Sequence, residues 1–300
     1  MLEPAAHPAS IGAALKDGAE RLAASGLPRS RREATMLWAA LAGTGTKPGD
    51  LWLQRDREPG VELLERFWRA VEQRSSGVPF AYAVGCTGFR TLDLKIDRRA
   101  LIPRPETEGL VDLVLGHLRA TCNVQRGTSG TVADIGTGCG CIALALAVEG
   151  ALERVVAVER SPEAAALARE NAALVQPPVP VEVREGDLLV PLAGERYRAI
   201  VANPPYLTGA EYAALDPAVR LFEPREALVS GADGLTATRG LLAGAAPLLE
   251  PGGCLALEID ERRAEAVQAL AWRHGWSRVA VHDDLFGRPR FLLADLEEGA

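Results

Sequence analysis

Apolar side chains recur at a helical period over roughly the first 75 residues of the chain, in three segments. The apolar faces are Ile11, Leu15 and Leu22; Ala34, Leu37, Trp38 and Leu41; and Val61, Leu64, Phe67, Trp68 and Val71. Turn-forming residues separate the segments at Leu27–Pro28 and Lys47–Asp50. The pattern predicts a small helical bundle over residues 1–77. Aromatic residues at helical spacing usually lie in a core, so we expect Trp38, Trp52 and Trp68 to be buried there.

The apolar period changes to two between residues 78 and 105. Phe89, Leu92, Leu94 and Ile96 surround Arg90–Thr91, which predicts a β-hairpin that links two domains. Prolines then stiffen the stretch Leu101–Glu108, before a helix predicted from about Glu106 to Arg119. A stiff loop that carries Arg104 can form the wall of a pocket. The same pattern is equally typical of an ordinary helix start.

After a loop at residues 127–130, strand-like and helix-like segments alternate to the end of the chain. The predicted strands are Thr131–Ile135, Val155–Glu159, Val179–Arg184, Tyr197–Ala202, Cys254–Ile259, Val279–His282 and Arg290–Leu293. The predicted helices include Ile142–Val148, Pro162–Leu174, Leu235–Leu249 and Glu261–His274. Such alternation is typical of the α/β class, so we expect a doubly wound, seven-stranded, mostly parallel sheet over residues 106–300.

Composition narrows the function classes. The chain has 300 residues and a formal net charge of −7, and its arginines are scattered, so long-range attraction to nucleic acid is not expected. Neither a basic-then-apolar leader nor a run of 18 apolar residues is visible, which predicts a protein that is neither exported nor membrane-spanning.

The cysteine pattern favours reduced thiols in a cytosol, because the chain has five cysteines, an odd number, without the spacing of a disulfide framework. Cys139 and Cys141 are separated by one residue, whereas zinc and redox pairs have two between them. The chain also has only four histidines, and no metal site is expected.

A glycine-rich turn follows the first strand of the α/β region. It consists of Gly136, Thr137, Gly138, Cys139 and Gly140, and Asp134 precedes it. Glycines allow the backbone to approach a ligand closely, and the helix that follows presents unpaired N–H groups. A carboxylate at this position attracts an ammonium group and repels a pyrophosphate. The dinucleotide pattern fails from Gly136 but fits from Gly138 to Ala143, so a nicotinamide or flavin enzyme stays open on pattern alone.

Acidic residues also end the next two strands. Glu159 can accept hydrogen bonds from both hydroxyls of a ribose, and Asp187 from the exocyclic amine of an adenine, with Leu188 beside it. Each acid taken alone is more often a solvated strand end. Three acids at successive strand ends, together with the glycine turn, predict an S-adenosylmethionine site.

The fourth strand ends in Asn203, Pro204, Pro205 and Tyr206. Prolines cannot continue a sheet ladder, so the chain leaves the sheet here with an amide and fixed carbonyls at a strand's carboxyl end. Open α/β sheets bind their ligands at that edge. The motif alone is equally compatible with a simple turn.

With these residues, the chain resembles the class I methyltransferases and, among them, the HemK/PrmC family of peptide chain release factor glutamine methyltransferases. The resemblance rests on Pro79–Tyr82 with Gly85, Ile102–Glu108, the glycine turn, Asn203–Tyr206 and the segment Val219–Leu228. Residues 1–77 resemble the family's release-factor-docking domain only in class. Glu159 stands where the family commonly has aspartate, and Leu188 where an aromatic residue often follows the acid.

The resemblance implies methylation of the side-chain nitrogen (N5) of the glutamine in a Gly-Gly-Gln motif, by a cytoplasmic and monomeric enzyme without a nucleic-acid partner. Asn203 and the Pro204 carbonyl would accept the substrate's N–H bonds, Pro205 and Tyr206 would shape the site, and Arg104 would contribute to substrate binding. Asn-Pro-Pro-Tyr is shared with adenine N6-methyltransferases of DNA or RNA, which is one alternative. A non-catalytic, S-adenosylmethionine-binding adaptor of translation proteins is the other.

Overall fold

The chain, in a computed structural model that describes residues 8–43, 46–121 and 130–295, divides into two compact units. The smaller unit comprises Met1–Gly85 and Pro217–Phe222, and the larger comprises Cys86–Asp216 and Glu223–Ala300. Cys122 and positions 127–129 of the predicted loop lie outside the described residues. The domain boundaries predicted after residues 77 and 105 stay predictions.

The smaller unit is helical, as the apolar period predicts. Its helices are α1 (Ile11–Ala24), α2 (Ser30–Ala42), α3 (Leu51–Gln54), α4 (Val61–Ser75) and α5 (Phe80–Val84), and the segment Pro217–Phe222 is helical too. Ser10 caps α1, because its side chain accepts a hydrogen bond from the backbone N–H of Ala13. Helix α4 contributes Leu64, Phe67 and Val71 to the core, where they pack with residues of α1 and α2.

Two of the three tryptophans that were predicted to lie in the core of this unit do so, and the third is exposed. Trp38 is fully buried and meets Phe67 edge-on with ring centroids 5.0 Å apart, and Trp68 packs partly buried against the same core. Trp52 is 66% exposed, so the expectation of a core position was wrong for it. It lies on the four-residue α3, where Leu51 takes the single buried position, and the Arg55 guanidinium lies 4.8 Å from its ring.

The larger unit begins with the predicted hairpin, formed by β1 (Cys86–Phe89) and β2 (Leu92–Lys95). The main sheet contains β3 (Thr131–Ile135), β4 (Arg154–Glu159), β5 (Val181–Glu185), β6 (Tyr197–Ala202), β7 (Leu249–Glu258), β8 (Arg278–Asp283) and β9 (Pro289–Asp295). The remaining helices are α6 (Thr107–Thr121), α7 (Cys141–Glu149), α8 (Pro162–Val175), α9 (Gly209–Ala213), α11 (Thr236–Gly244) and α12 (Ala264–Arg273), with α10 being the segment Pro217–Phe222 named above.

The strand order of the sheet is β5-β4-β3-β6-β7-β9-β8. All neighbours pair in parallel except β9, which is antiparallel to both β7 and β8, so the predicted seven-stranded, mostly parallel sheet is confirmed. The order reverses beside β3, since β4 and β5 extend to one side and β6 to the other. A crevice forms where the order of a parallel sheet reverses, which places a ligand site at the carboxyl ends of β3 and β6.

Two predicted helices are shorter than expected. The segment predicted at Leu235–Leu249 ends as α11 at Gly244, and a 3₁₀ turn follows at Ala246–Leu248, because Pro247 lacks an N–H and disfavours helical geometry before it. The segment predicted at Glu261–His274 begins with a 3₁₀ turn whose N–H at Arg262 is bound by Asp260. Both differences move element ends and leave the topology unchanged.

Candidate active site

A cavity of about 660 Å³ opens at the carboxyl edge of the sheet, within the larger unit. Residues from the ends of β3, β4, β5 and β6 contribute to its wall. Those among the predicted site residues are Gly136, Gly138, Glu159, Asp187, Leu188, Asn203, Pro204 and Pro205. The structure therefore brings two predicted motifs to one cavity, the glycine turn and the Asn-Pro-Pro segment.

The glycine turn adopts a backbone that requires glycine. Gly136, Gly138 and Gly140 have φ values of 73°, 57° and 88°, which L-residues with side chains disfavour. The N–H groups of Gly136 and Thr137 both donate to the Val158 carbonyl, which ties the turn to β4. Thr137, Cys139 and Gly140 do not line the cavity. They therefore contribute to the shape of the turn and not to the cavity wall.

Asp134 lies beneath this turn and is fully buried. Its Oδ2 accepts hydrogen bonds from the Thr137 hydroxyl, at 2.6 Å, and from the Ala143 N–H, at 3.1 Å. Its Oδ1 is buried without a partner among the described residues, and burial raises the pKa of Asp134 to about 7. A buried carboxylate with an open oxygen favours a positive charge close by, although Asp134 does not line the cavity itself.

Glu159, at the end of β4, has both carboxylate oxygens oriented by backbone N–H groups. Gly138 donates to its Oε2 and Ser161 to its Oε1, each at 2.9 Å. Each oxygen retains lone-pair capacity for a ligand hydroxyl. The glutamate thus holds the glycine turn and faces the cavity with the same side chain.

Asp187 and Leu188 follow β5 and also line the cavity. Asp187 is 64% exposed and lies 4.0 Å from the Arg160 guanidinium. Leu188 has a φ of 46°, the left-handed region that costs a branched side chain free energy. Its side chain packs so closely on α11 that a Cβ at Gly240 would approach Leu188 Cδ1 to 2.8 Å. The cavity wall is therefore apolar at Leu188.

Asn171, on α8, supports the glycine turn from outside the cavity. Its Nδ2 donates to the carbonyls of Cys139 and Lys95, and its Oδ1 accepts from the Lys95 N–H. The side chain is fully buried. One amide therefore joins α8, the hairpin strand β2 and the glycine turn.

The segment after β6 is fixed at both ends. Ile135 of β3 pairs with Ala202 of β6, so Gly136 and Asn203 leave the sheet side by side. Beyond Tyr206, the Leu207 N–H donates to the Leu228 carbonyl and the Leu207 carbonyl accepts from the Ser230 N–H, both at 2.9 Å. Tyr206 is partly buried, burial raises the pKa of its hydroxyl, and it does not line the cavity.

Asn203 takes part in a buried chain of hydrogen bonds. Its Nδ2 donates to the Thr107 hydroxyl oxygen at 3.1 Å, and the Thr107 hydroxyl donates to Glu258 Oε2 at 2.7 Å. Thr107 begins α6 and Glu258 ends β7, and each is only 2% exposed. This bond uses one of the two Asn203 N–H donors and leaves the Oδ1 acceptor for a ligand in the cavity that Asn203 lines.

Arg104 forms an ion pair instead of lining the cavity. Its Nη2 lies 2.7 Å from Glu223 Oε1, and the Glu223 side chain is 2% exposed. The other oxygen of Glu223 accepts from the Ile102 N–H at 3.2 Å. The ion pair holds the proline-rich loop before α6 in one conformation, and substrate binding by Arg104 stays a prediction.

Two protein-family models match the chain. Residues 13–85 match the model described as PrmC N-terminal domain, and residues 111–231 match the Methyltransferase small domain. A release factor glutamine methyltransferase from Moorella thermoacetica is 43% identical over 94% of this chain and 96% of its own length. The enzyme of the same name from Deinococcus radiodurans is 40% identical over 93% of this chain and 96% of its own.

The chain belongs to the release factor glutamine methyltransferase family. The resemblance drawn from the sequence motifs is thereby confirmed.

Solved structures support the fold. A methyltransferase from Pyrococcus furiosus superposes with a TM-score of 0.51 at 20% identity, covering 74% of this chain and 97% of that one. The hMettl16 catalytic domain superposes with a TM-score of 0.53 at 17% identity, covering 79% of this chain and 82% of that one. At these identities the likeness concerns the fold alone, which is that of class I methyltransferases.

Motif-based prediction missed the partners of Asn203 and Arg104. Thr107 lies in a predicted helix start, Glu258 in a predicted buried strand, and Glu223 in a segment noted only for its resemblance to the family. The one local signal was Glu258, a carboxylate inside an otherwise apolar strand. Because a buried carboxylate needs a hydrogen-bond partner, this residue indicates a polar contact with another element.

In the described ranges, no group of three or more histidine, cysteine, aspartate or glutamate side chains is placed to hold a metal ion. None of the helices at residues 8–43, 46–121 and 130–295 is long and apolar enough to cross a bilayer.

Proposed function

We propose that this protein transfers the methyl group of S-adenosylmethionine to the side-chain amide nitrogen of the glutamine in the Gly-Gly-Gln motif of peptide chain release factors. The proposal rests on the placement of Asn203, where the strand order of the sheet reverses. One N–H of its side-chain amide is bound to Thr107, and its oxygen is left for a ligand in the cavity. Relatives that are 34–43% identical over most of the chain bear the corresponding name.

The cavity residues fit S-adenosylmethionine, which supplies an electrophilic methyl group on a sulfonium when bound. Glu159 would accept from the ribose hydroxyls and Asp187 from the adenine amine, while Leu188 offers an apolar contact. The backbone of Gly136 would allow close approach of the amino-acid portion. Asp134, with its unpartnered buried oxygen, would compensate the positive charge of that portion.

The chemistry requires orientation more than a strong base. An amide nitrogen is a poor nucleophile because its lone pair is delocalised into the carbonyl. When Asn203 Oδ1 and the Pro204 carbonyl accept the two N–H bonds of the substrate amide, the lone pair is directed out of the amide plane. Fixed acceptors also stabilise the positive charge that develops on the nitrogen. The substrate nitrogen, held by Asn203 and the Pro204 carbonyl, would accept the methyl group that bound S-adenosylmethionine supplies from its sulfonium, leaving a neutral thioether, and would release one N–H proton to water.

The smaller unit would dock the release factor, through residues 1–77. This docking role is supported by the match of residues 13–85 to the model of the PrmC N-terminal domain. Trp52 and Leu53 are both largely exposed on α3 and form an apolar contact surface. The net charge of −7 favours a protein substrate over a nucleic acid. We infer a monomer that works in the cytoplasm, where translation termination takes place.

A labelling experiment tests the proposed function. The purified chain is incubated with methyl-labelled S-adenosylmethionine and a release factor, and the modified peptide is located by mass spectrometry. One methyl group on the Gly-Gly-Gln glutamine is expected, and none on a release factor in which that glutamine is alanine. Label in DNA or RNA would support the adenine methyltransferase alternative. Binding of release factor without transfer would support the adaptor.

A further inference from the structure

The hydrogen-bond chain Asn203–Thr107–Glu258 has a defined direction. An ionised Glu258 only accepts hydrogen bonds, so the Thr107 hydroxyl must donate its single proton to it. The Thr107 oxygen then offers only lone pairs to Asn203, and a lone pair requires a donor. The Asn203 amide therefore presents its Nδ2 to Thr107 and its Oδ1 to the cavity.

The opposite amide orientation is disfavoured by the same chain. Rotation of the Asn203 side-chain amide by half a turn would place Oδ1 against the Thr107 oxygen, whose proton is already committed to Glu258. Two acceptors would then face each other in a buried site, and a buried acceptor without a donor is unfavourable. The amide would also present N–H groups to the cavity, where a substrate amide nitrogen needs acceptors.

We propose that Thr107 and Glu258 are positioning residues that set the orientation of the Asn203 amide, so that its oxygen faces the substrate. The kinetic part of this proposal rests on the proposed methyl transfer to glutamine. The orientation of the amide is independent of the substrate and is measurable without turnover.

Burial makes the orientation sensitive to pH. It raises the pKa of Glu258 to about 7, against the opposing effects of the Thr107 hydrogen bond and of Arg290 and Arg104. Glu106 raises the same pKa through its charge. Tyr206 also faces Glu258, since the pKa of its hydroxyl is raised by burial and, to a smaller extent, by the Glu258 charge. Once protonated, Glu258 can donate to Thr107, whose hydroxyl proton is then free to face Asn203. The preference for the productive orientation is lost below that pKa.

Nuclear magnetic resonance tests the orientation directly. The chain has three asparagines, Asn123, Asn171 and Asn203, so asparagine-selective ¹⁵N labelling gives three side-chain amide pairs, and Asn203→Ala assigns one of them. We expect the Asn203 pair to shift with a midpoint near Glu258's pKa, about 7. Asp134 has a similarly raised pKa, so Glu258→Gln identifies the source. A transition that survives Glu258→Gln, or Asn203 side-chain resonances that Glu258→Gln leaves unchanged at every pH, overturns the proposal.

Variants at Thr107 complete this test. Thr107→Val keeps the side-chain shape and removes the hydroxyl, so the Asn203 transition should disappear. Thr107→Ser keeps the hydroxyl and should retain the transition. Thr131→Val removes the hydroxyl of another buried threonine, at the first residue of β3, and should leave the transition unchanged. A transition that persists in Thr107→Val contradicts a coupling of Glu258 to Asn203 through Thr107.

Kinetics measures the consequence for turnover. We expect Thr107→Val to lower kcat about 10- to 100-fold, the effect of one or two lost hydrogen bonds, with little change in KM for S-adenosylmethionine. Thr107→Ser should recover most of the rate, and Thr131→Val should match the wild type. An unchanged kcat in Thr107→Val overturns the positioning role. Absence of methyl transfer by the wild type contradicts the proposed function instead, while the resonance titration still decides the orientation of Asn203.

Discussion

Ile135 and Ala202 are register partners in the parallel strands β3 and β6. The glycine turn and the Asn-Pro-Pro-Tyr segment therefore leave the sheet as neighbours, at the position where the strand order reverses. A methyl donor held by the first would meet an acceptor held by the second without any further element.

Asn203→Ala should abolish turnover and leave cofactor binding nearly intact. The variant loses the acceptor aimed at the substrate nitrogen, and removal of one such fixed group typically lowers kcat about 100- to 1000-fold. Asn203→Asp should be similarly inactive, because a carboxylate oxygen would replace the donor opposite Thr107. Calorimetry with S-adenosylmethionine and a methyl-transfer assay separate the two effects. Near-normal turnover in Asn203→Ala would end the proposed mechanism.

Glu159→Gln should weaken S-adenosylmethionine binding. The wild-type oxygens accept from the N–H groups of Gly138 and Ser161, and a glutamine would place an NH₂ group against one of these donors. The expected rise in Kd is roughly 10- to 100-fold, since the lost hydrogen bonds are to a charged group. Glu185→Gln is a matched control, because Glu185 pairs with Glu159 in register but does not line the cavity. Equal affinities of the two variants would exclude Glu159 from the cofactor site.

The free energy of unfolding should fall as pH rises from about 5 to about 7. Burial raises the pKa values of Asp134 and Glu258 to about 7, above the values of 3.8 and 4.5 of free side chains. The folded state then binds protons more strongly than the unfolded state, so its advantage is full at low pH and is lost as pH rises through this window. Urea denaturation at several pH values measures the slope, and Asp134→Asn should reduce it. A slope unchanged in Asp134→Asn would mean that Asp134 titrates normally.

Arg104→Ala should destabilise the protein by about 3 kcal/mol or somewhat less. It leaves the Glu223 carboxylate buried without its ion-pair partner, and breaking such a buried pair from one side costs roughly 3–5 kcal/mol; the partial exposure of Arg104 lowers that figure. The double variant Arg104→Ala/Glu223→Gln should be more stable than Arg104→Ala, because the buried charge is gone. Denaturant unfolding measures both. If the second substitution adds to the loss, the ion pair does not explain the first.

Trp52→Ala should leave the stability of the smaller unit almost unchanged, because Trp52 is exposed. Trp38→Ala, in the core of the same unit, should cost about 3–5 kcal/mol. If α3 takes part in docking, Trp52→Ala raises KM for the whole release factor and leaves KM for a short Gly-Gly-Gln peptide unchanged. Unfolding curves and methyl-transfer kinetics with both substrates test this. An equal KM for the release factor in Trp52→Ala and wild type would exclude Trp52 from docking.

The sequence predicts the parts of the fold and site that depend on local pattern. Strand ends are visible where apolar runs stop at acids, glycines or prolines, so Glu159, Gly136 and Asn203 were predicted site residues that the structure places at the cavity. Tertiary partners are invisible to such patterns. Thr107 and Glu258 are 151 positions apart and meet only because helix α6 packs against β7. Trp52 was misjudged because a four-residue helix has too few turns to define a buried face.

Asn171 couples the hairpin to the glycine turn. Because one buried amide bonds the backbone of β2 and the Cys139 carbonyl together, a displacement of the hairpin at Lys95 changes the shape of the glycine turn. Mechanical strain on this short two-stranded element would then appear as a change in cofactor affinity, although β1 and β2 do not line the cavity themselves.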